Sequence, residues 1–501
     1  MGGETNEHLW QAPKGHFYPL LIIQLGIAQV MQCLTSLRGV QQTFELFAQY
    51  WAIPTPSFSN IRRWVLRLGL YELQREKEYR TDWIFILDLT IELGEAKCLV
   101  ILGIPQFRWD VIVTQEQRGL QHQDVEVLDI EILHPSNGKE IERVLNQLST
   151  RVGVPVQILS DHGSDLKKGV ELYLSDKPEV IYTYDVTHWL ALQLKAELAG
   201  DERYQSFVQQ CNQCRCQLQQ TELAGLMPPT QRTKARYFNV DRLVDWAQQI
   251  LRYQQRNDFS HLSNEFTIDT HTLEVLAPVL DSTAYRQLFH LKGNTYANHS
   301  VFTETLSQHL GATVFTAHAQ LISQTASVGR RRFQQKLGWL KDYQIELNTY
   351  SQMVEFTHQL ERQLKHQGIN SNSLFTFIKA TFPRQLSPRL QTFYSKFIPY
   401  LLEEGDKVPQ DKSLLATSDI IESLFGKYKR FSAKSCLKEI GPMILTIPLC
   451  TIEITTDLVK QAMETIRGID VEHWLGQRLG QSMLSKRKDM FKPPEKNTKI
   501  A

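Results

Sequence analysis

The chain has 501 residues, 55 Lys+Arg against 54 Asp+Glu, a formal net charge of +1, 42% apolar and 22% charged residues. Those proportions exclude a wholly disordered chain, and the length allows about three domains with buried cores. Seven cysteines in so long a chain make no disulfide scaffold; the expected setting is reducing and cytoplasmic, with no leader peptide.

Leu20–Leu34 is apolar at helical spacing but interrupted by Gln24, Gln29 and Gln32, which predicts a buried amphipathic helix and no membrane span. Val40–Trp51 predicts a second helix, broken by Ile53-Pro54-Thr55-Pro56. Ser57 or Ser59 can cap a third, short helix through Ile61, Trp64, Val65 and Leu68 that stops near Gly69. Its polar side carries Asn60, Arg62, Arg63 and Arg67. Residues 1–80 therefore fit a helix-turn-helix DNA reader, or a small helical bundle with an Arg-rich solvated face.

From residue 82 the pattern becomes strand-like. Trp83–Leu89 (WIFILDL) and Ala96–Ile104 read as buried strands joined by a turn at Glu92–Glu95, and Val125–Leu133 alternates with period two. A helix is expected over Lys139–Val152, a strand over Val154–Leu159, a helix over Ser164–Leu174 and a strand over Val180–Tyr184. The order is βββαβαβ. Residues 191–410 are rich in Gln and Leu and read as one helical insertion, with helical periods at Leu243–Leu251, Gln352–Leu364 and Leu390–Ile398. Residues 411–485 bring a short helix at Ser418–Arg430, and the charged tail 486–501 is expected to be disordered.

Three acids stand out by context. Asp88 ends one apolar strand, Asp161 follows another, and Glu422 sits on the helix after the insertion. A carboxylate at the tip of a central strand is costly to bury unless a cation compensates it, and phosphodiester chemistry uses such acids to hold two Mg²⁺ ions. Each acid alone also reads as a turn former or helix cap; the three on this strand order favour the metal reading. Asp165 is a rival second acid, with Asp161 preferred because it directly follows the strand. Asp419 reads as a helix N-cap.

The segments WIFILDLT, VQILSDHGSDL and SDIIESLFGKYKRF, on that strand order, make the chain similar to DDE transposases of bacterial insertion sequences and to retroviral integrases. The resemblance implies a ribonuclease H-like catalytic domain in two parts (81–190 and 411–485) around the insertion. It implies Asp88, Asp161 and Glu422 as catalytic and metal-binding residues, and Mg²⁺ (or Mn²⁺) as cofactor. It implies transposon-end and target DNA as partners, and a homodimer or higher assembly on paired ends. Lys429, seven residues after Glu422 and on its helix face with Gly426 between, matches a basic residue many of these enzymes carry. Asp185-x-x-His188 looks like the Cys/Asp-x-x-His motif of hAT- and Mutator-like transposases, which would position DNA; the other reading is a helix cap with a packed histidine. Lys427, Arg430 and Lys434 complete the basic group expected to meet DNA. Ser418 stands where one transposase group has an Arg before the Glu, so the chain is not placed in that group.

Cys211-x-x-Cys214-x-Cys216 lacks a second ligand pair at zinc spacing and reads as buried thiols. Arg330-Arg331-Arg332 with Lys336 reads as a solvated face or a backbone grip. No Gly-rich phosphate loop supports a nucleotide cofactor. The expected function is metal-dependent cleavage and strand transfer of DNA in a bacterial cytoplasm, at the nucleoid. The rivals are a non-catalytic DNA-binding protein and a nuclease without strand transfer. The near-zero net charge does not oppose this reading. Residues 1–80 carry +2 and 422–501 carry +5, around a middle of −6 that holds Asp88 and Asp161.

Overall fold

The computed structural model describes residues 9–91, 96–221, 223–230, 240–256, 265–266, 297–298, 330–381, 386–432 and 439–492. The amino-terminal elements are α1 (Leu20–Met31), α2 (Leu37–Phe47), α3 (Phe58–Gln74), β1 (Trp83–Ile91), β2 (Lys97–Pro105), α4 (Gln106–Val111) and β3 (Glu126–Leu133). Then come α5 (Gly138–Val152), β4 (Gln157–Ser160), α6 (Ser164–Tyr173), β5 (Ile181–Tyr184), α7 (Val186–Ala199), α8 (Glu202–Leu218) and α9 (Val240–Arg256). The remaining helices are α10 (Gln344–Gln367), α11 (Ser373–Thr381), α12 (Pro388–Ser395), α13 (Phe397–Asp406), α14 (Asp419–Ser432), α15 (Thr456–Thr465), α16 (Gly468–Leu479) and α17 (Met483–Met490).

Two compact units result. The first comprises Met1–Trp189, Gln359–Phe382 and Phe397–Ala501; the second comprises Leu190–His358 and Pro383–Lys396. The expected insertion 191–410 is thus divided, with 359–382 and 397–410 in the first unit. Residues 1–80 share that unit with the sheet.

The first unit is mixed α/β. Its sheet has the order β3-β2-β1-β4-β5, with β1, β2 and β3 antiparallel and β1, β4 and β5 parallel. The central strand β1 is apolar on both sides because both faces are covered. Phe85, Leu87 and Ile158 meet Ile141, Val144 and Leu148 of α5 and Leu166 and Val170 of α6. Ile84, Ile86 and Leu159 face the other way, toward Leu66 and Leu70 of α3 and Ile421, Leu424 and Phe425 of α14. Asn137 caps α5 through Oδ1, which accepts from the Glu140 N–H at 3.1 Å.

The helix expected over Val40–Trp51 ends at Phe47, and the tight break expected at Ile53–Pro56 and the short helix expected to stop near Gly69 are corrected. Ten residues separate Phe47 from Phe58, where a helix-turn-helix uses about three or four. Ser57 caps α3, but the helix runs through Gly69 to Gln74. Gly69 is a point of close approach: a Cβ there would lie 1.9 Å from the Leu445 carbonyl oxygen. Helix α3 is a core element, with Ile61, Trp64, Val65 and Leu68 packed among α1, α2 and α15. The tail also differs. Lys486–Met490 belong to α17, whose N-cap Ser482 accepts from the Ser485 N–H at 3.2 Å.

In the second unit, α8, α9 and the segments of α10 and α12 within it bury Phe207, Leu243, Tyr350 and Phe393. Leu390–Ile398 contains two helices, α12 ending at Ser395 and α13 beginning at Phe397. A two-residue strand pair, Glu265–Phe266 with Ala297–Asn298, departs from the all-helical expectation. Among the described residues no helix is long and apolar enough to cross a membrane.

Candidate active site

The parallel register aligns Leu87 of β1 with Ser160 of β4, and Ser160 with Tyr184 of β5. The next residue on each strand is an aspartate: Asp88, Asp161 and Asp185. Neighbouring strands lie about 4.8 Å apart, so three acids stand in one row across three adjacent strands. Asp161 and Asp185 directly follow β4 and β5, but β1 continues past Asp88 to Ile91 in its pairing with β2, so Asp88 does not end its strand as expected. The Asp185 N–H donates to the Ser160 carbonyl at 2.9 Å, extending the ladder to that row. Side chains alternate along a strand. Asp88 and Asp161 lie two residues beyond Ile86 and Leu159, and so project toward the face covered by α14.

Glu422 is in the first turn of α14 and exposed. That helix is held against the sheet by Ile421, Leu424, Phe425 and Tyr428, and an acid in its first turn is favoured by the helix dipole. The chain entering α14 is fixed by the strand ends. The buried Gln157 amide donates to the Leu415 carbonyl (2.7 Å) and accepts from the Leu415 N–H (3.0 Å). The Val186 N–H donates to the Ala416 carbonyl at 2.9 Å. The Ser418 hydroxyl donates to Asp185 at 2.6 Å, and Thr417 and Thr187 hydroxyls meet at 3.1 Å. Asp185 also accepts from the Thr187 N–H at 2.9 Å. It is buried, and its carboxylate ties β5 and α7 to the start of α14.

These acids repel one another. Burial first, then the charges of Asp161 and Glu422, push Asp88 up to about 8, against a modest opposing contribution from the Leu89 N–H that its Oδ1 accepts at 2.7 Å. Asp161 accepts from the Gly163 N–H at 2.8 Å. His162, with a left-handed backbone (φ 54°), stacks on Tyr184 at 4.3 Å. Burial, reinforced by Lys167 and Lys407, lowers its imidazole to about 4. Burial together with Asp161 and Asp185 raises the Tyr184 phenol to about 12. Among the described residues, no group of three or more His, Cys, Asp or Glu side chains is arranged to hold a metal ion.

The other sequence-singled residues are placed as follows. Asp165 lies in the first turn of α6 and pairs with Lys97 at 2.6 Å, which holds its carboxyl below the usual range. Asp419 is the first residue of α14, not its N-cap, and pairs with Lys365 at 3.0 Å. His188 is half-buried in α7, its ring 6.2 Å from Tyr184. Lys429 and Arg430 are exposed on the last turn of α14, and Lys427 meets the His122 ring at 2.6 Å. Lys434 lies outside the described residues. On α3, Asn60 donates to the Tyr18 hydroxyl at 3.3 Å and the Arg67 guanidinium bonds the Met463 carbonyl. Arg62 is partly buried and Arg63 exposed. Thus Asn60 and Arg67 serve packing within the unit. Cys211 and Cys214 are buried in α8, with the Cys214 thiol donating to the Lys336 carbonyl at 3.6 Å.

Sequence reasoning missed the place of Asp185 in the aspartate row. Its place depends on the register of β4 with β5, Ser160 against Tyr184, which the local sequence does not state. No family model matches the chain, and no curated protein matches it. Among solved structures it is similar to a chain of the "Drosophila P element transposase strand transfer complex", at 10% identity and a TM-score of 0.32, over 87% of this chain and 92% of that one. The likeness is distant, and the reading of the site rests on the carboxylates themselves.

Proposed function

We propose that this chain is a metal-dependent DNA transposase of ribonuclease H-like architecture that cleaves and joins DNA ends through Asp88, Asp161 and Glu422. One observation carries the reading: Asp88 and Asp161 stand side by side on parallel strands, and α14 brings Glu422 to the face they share. The βββαβαβ order supports the ribonuclease H-like assignment.

The donor set suits a divalent cation. Carboxylate oxygens are the hard ligands Mg²⁺ and Mn²⁺ take, and the shift of Asp88 reflects burial first and then the neighbouring negative charges of Asp161 and Glu422, which such an ion relieves. Asp88, on the central strand β1, would contact the ion or ions together with its row neighbour Asp161 and Glu422, while Asp185 orients the helix that carries Glu422. Bound there, the metal would supply activation of an attacking oxygen and neutralisation of charge at the phosphate. Lys429 and Arg430 on α14 are placed to meet the phosphate backbone beyond the carboxylates.

The test uses the full chain, Mg²⁺ and a duplex carrying the ends of its own element, with Asp88→Asn in parallel. Metal-dependent nicking and joining, lost in Asp88→Asn, supports the reading. DNA binding with no metal-dependent cleavage by the parent overturns it, and cleavage without joining reassigns the protein as a nuclease.

A further inference from the structure

Between α4 and β3 the chain forms a strap over residues 112–125. It includes a π-helical turn, Ile112–Glu116, and a short helical turn, His122–Asp124. The strap is fastened by Asp124, whose buried carboxylate accepts from Arg108 at 2.8 Å, Arg118 at 2.5 Å and the Gln121 N–H at 2.7 Å. None of this touches the carboxylate row, yet it fixes His122 against one side of α14. There the Lys427 ammonium lies 2.6 Å from His122 Nδ1, and His122 Nε2 lies 3.0 Å from the Ser423 hydroxyl.

An ammonium can only donate, so Nδ1 is the acceptor and the imidazole proton sits on Nε2, which donates to Ser423. Burial and the adjacent lysine charge lower the His122 pKa, in line with that arrangement. The Ser423 oxygen is thereby engaged as an acceptor, and its own hydrogen is left to point outward. The relay from Lys427 through His122 polarises that hydroxyl as a donor. Ser423 and His122 open onto a cavity of about 320 Å³, also lined by Gln121, Thr417, Asp419 and Lys365. Gln121 Oε1 accepts from Gln123 at 3.1 Å, which turns its amide NH₂ into the group it offers. Lys365 gives one of its three donors to Asp419. Two lining residues connect the cavity to elements of the candidate active site: Ser423 follows Glu422 on α14, and the Thr417 hydroxyl meets that of Thr187, two residues after Asp185.

We propose that this cavity is a phosphate-binding subsite, built from Ser423, His122, Lys365 and Gln121, that seats a phosphodiester of the strand handled by the carboxylates. The ligand chemistry, a phosphate oxygen, follows from the convergent donors alone; its assignment to a nucleic-acid strand rests on the transposase reading.

The test measures binding of the full-length protein to a fluorescein-labelled DNA duplex of arbitrary sequence, in EDTA, over a KCl series. Ser423→Ala is expected to weaken binding about ten-fold, as one hydrogen bond to a charged group. Ser423→Thr keeps the hydroxyl and should stay within about two-fold of the parent. His122→Ala should follow Ser423→Ala, and Lys365→Ala should reduce the slope of log K against log salt by about 1. Circular dichroism and thermal melting establish that each variant is folded. Parent-like affinity and salt slope in folded Ser423→Ala, His122→Ala and Lys365→Ala overturn the proposal. Calorimetry with inorganic phosphate separates the sources. Phosphate binding that depends on Ser423, alongside unchanged DNA affinity, overturns the strand assignment. Because EDTA removes the metal, the two readings fail separately. Pocket-dependent DNA binding without Mg²⁺ cleavage leaves the subsite standing, and cleavage with unaltered binding by the variants leaves only the transposase reading.

Discussion

Replacing Asp88 by Asn removes one negative charge from the row while keeping its shape, and the electrostatics predict that the metal-free protein becomes more stable. Asp88 has a folded-state pKa raised from 3.8 to about 8. The folded state therefore holds this proton more tightly than the unfolded chain. The cost is absent below about pH 4, grows as pH rises, and levels off above about pH 8. A full shift gives about 1.4 kcal/mol per pH unit, a ceiling of about 4 kcal/mol between pH 5 and pH 8. Asp88 is partly open to solvent, which reduces the expected difference to about 2 kcal/mol. At about 2.1 cal/mol/K of unfolding entropy per residue, that is about 2 °C in Tm for a chain of 501 residues. Scanning calorimetry in EDTA at pH 5, 6, 7 and 8 should show the parent losing stability against Asp88→Asn across that range. Mg²⁺ at ten times its dissociation constant should return about 1.4 kcal/mol to the parent and little to the variant. Parallel pH profiles for the two proteins, or an equal Mg²⁺ shift in both, would refute the reasoning.

Gln157→Leu leaves the Leu415 N–H and carbonyl buried without their partner and should cost about 2–4 kcal/mol; urea unfolding measures it, and faster amide exchange at Leu415 locates it. Gly69→Ala drives a methyl group into the Leu445 carbonyl, 1.9 Å from the new Cβ, and should cost about 3 kcal/mol; a loss under about 1 kcal/mol would show that the 442–446 segment yields easily. Asp124→Ala removes the buried acceptor that Arg108 and Arg118 share and leaves them only Glu116 as a carboxylate partner in the strap. It should destabilise the protein by about 3 kcal/mol, and limited proteolysis should then cut first near Gln121.

The sheet was legible because its strands are buried on both faces. WIFILDL and AKCLVILGI are apolar runs too short for helices, and parallel pairing demands a crossover helix, which α5 and α6 supply. Two of the three row acids were legible for the same reason, Asp161 as a polar residue just past an apolar strand and Asp88 as an acid within one that continues to Ile91. Other features depend on partners far along the chain. Helix α3 looked like an exposed reader because its arginines fall on one side. Its burial comes from contacts with residues 442–463, where Leu445 meets Gly69 and Met463 accepts from Arg67. The strap was invisible because its order comes from Asp124 joining two arginines, and a run such as Thr114-Gln115-Glu116-Gln117 has no period that would announce a turn. The alignment of Asp185 needed the register of β4 with β5, which no local pattern encodes.

The return of the chain to the sheet after the second unit explains how so long an excursion is compatible with a site assembled from both sides of it. Closing a loop costs about 0.6 kcal/mol for each doubling of its length. Stretching an ordinary connection of a few tens of residues to one running from α7 to Leu415 is about three doublings, or about 2 kcal/mol. Against that stand the two bonds of Gln157 to Leu415, the Val186–Ala416 backbone bond and the Ser418–Asp185 bond. At about 1 kcal/mol net for each, and more for the bond to the charged Asp185, these offset the closure cost. They do so within seven residues of Glu422, and three of the four bonds involve Gln157 and Asp185, at the ends of β4 and β5. The anchor that closes the loop is therefore also what brings the third acid toward the row. A variant that loosens it, such as Ser418→Ala, is expected to weaken Mg²⁺-induced stabilisation before it lowers overall stability by more than about 1 kcal/mol. Equal metal response in Ser418→Ala and the parent, measured by thermal shift over a Mg²⁺ series, would separate the anchor from the site.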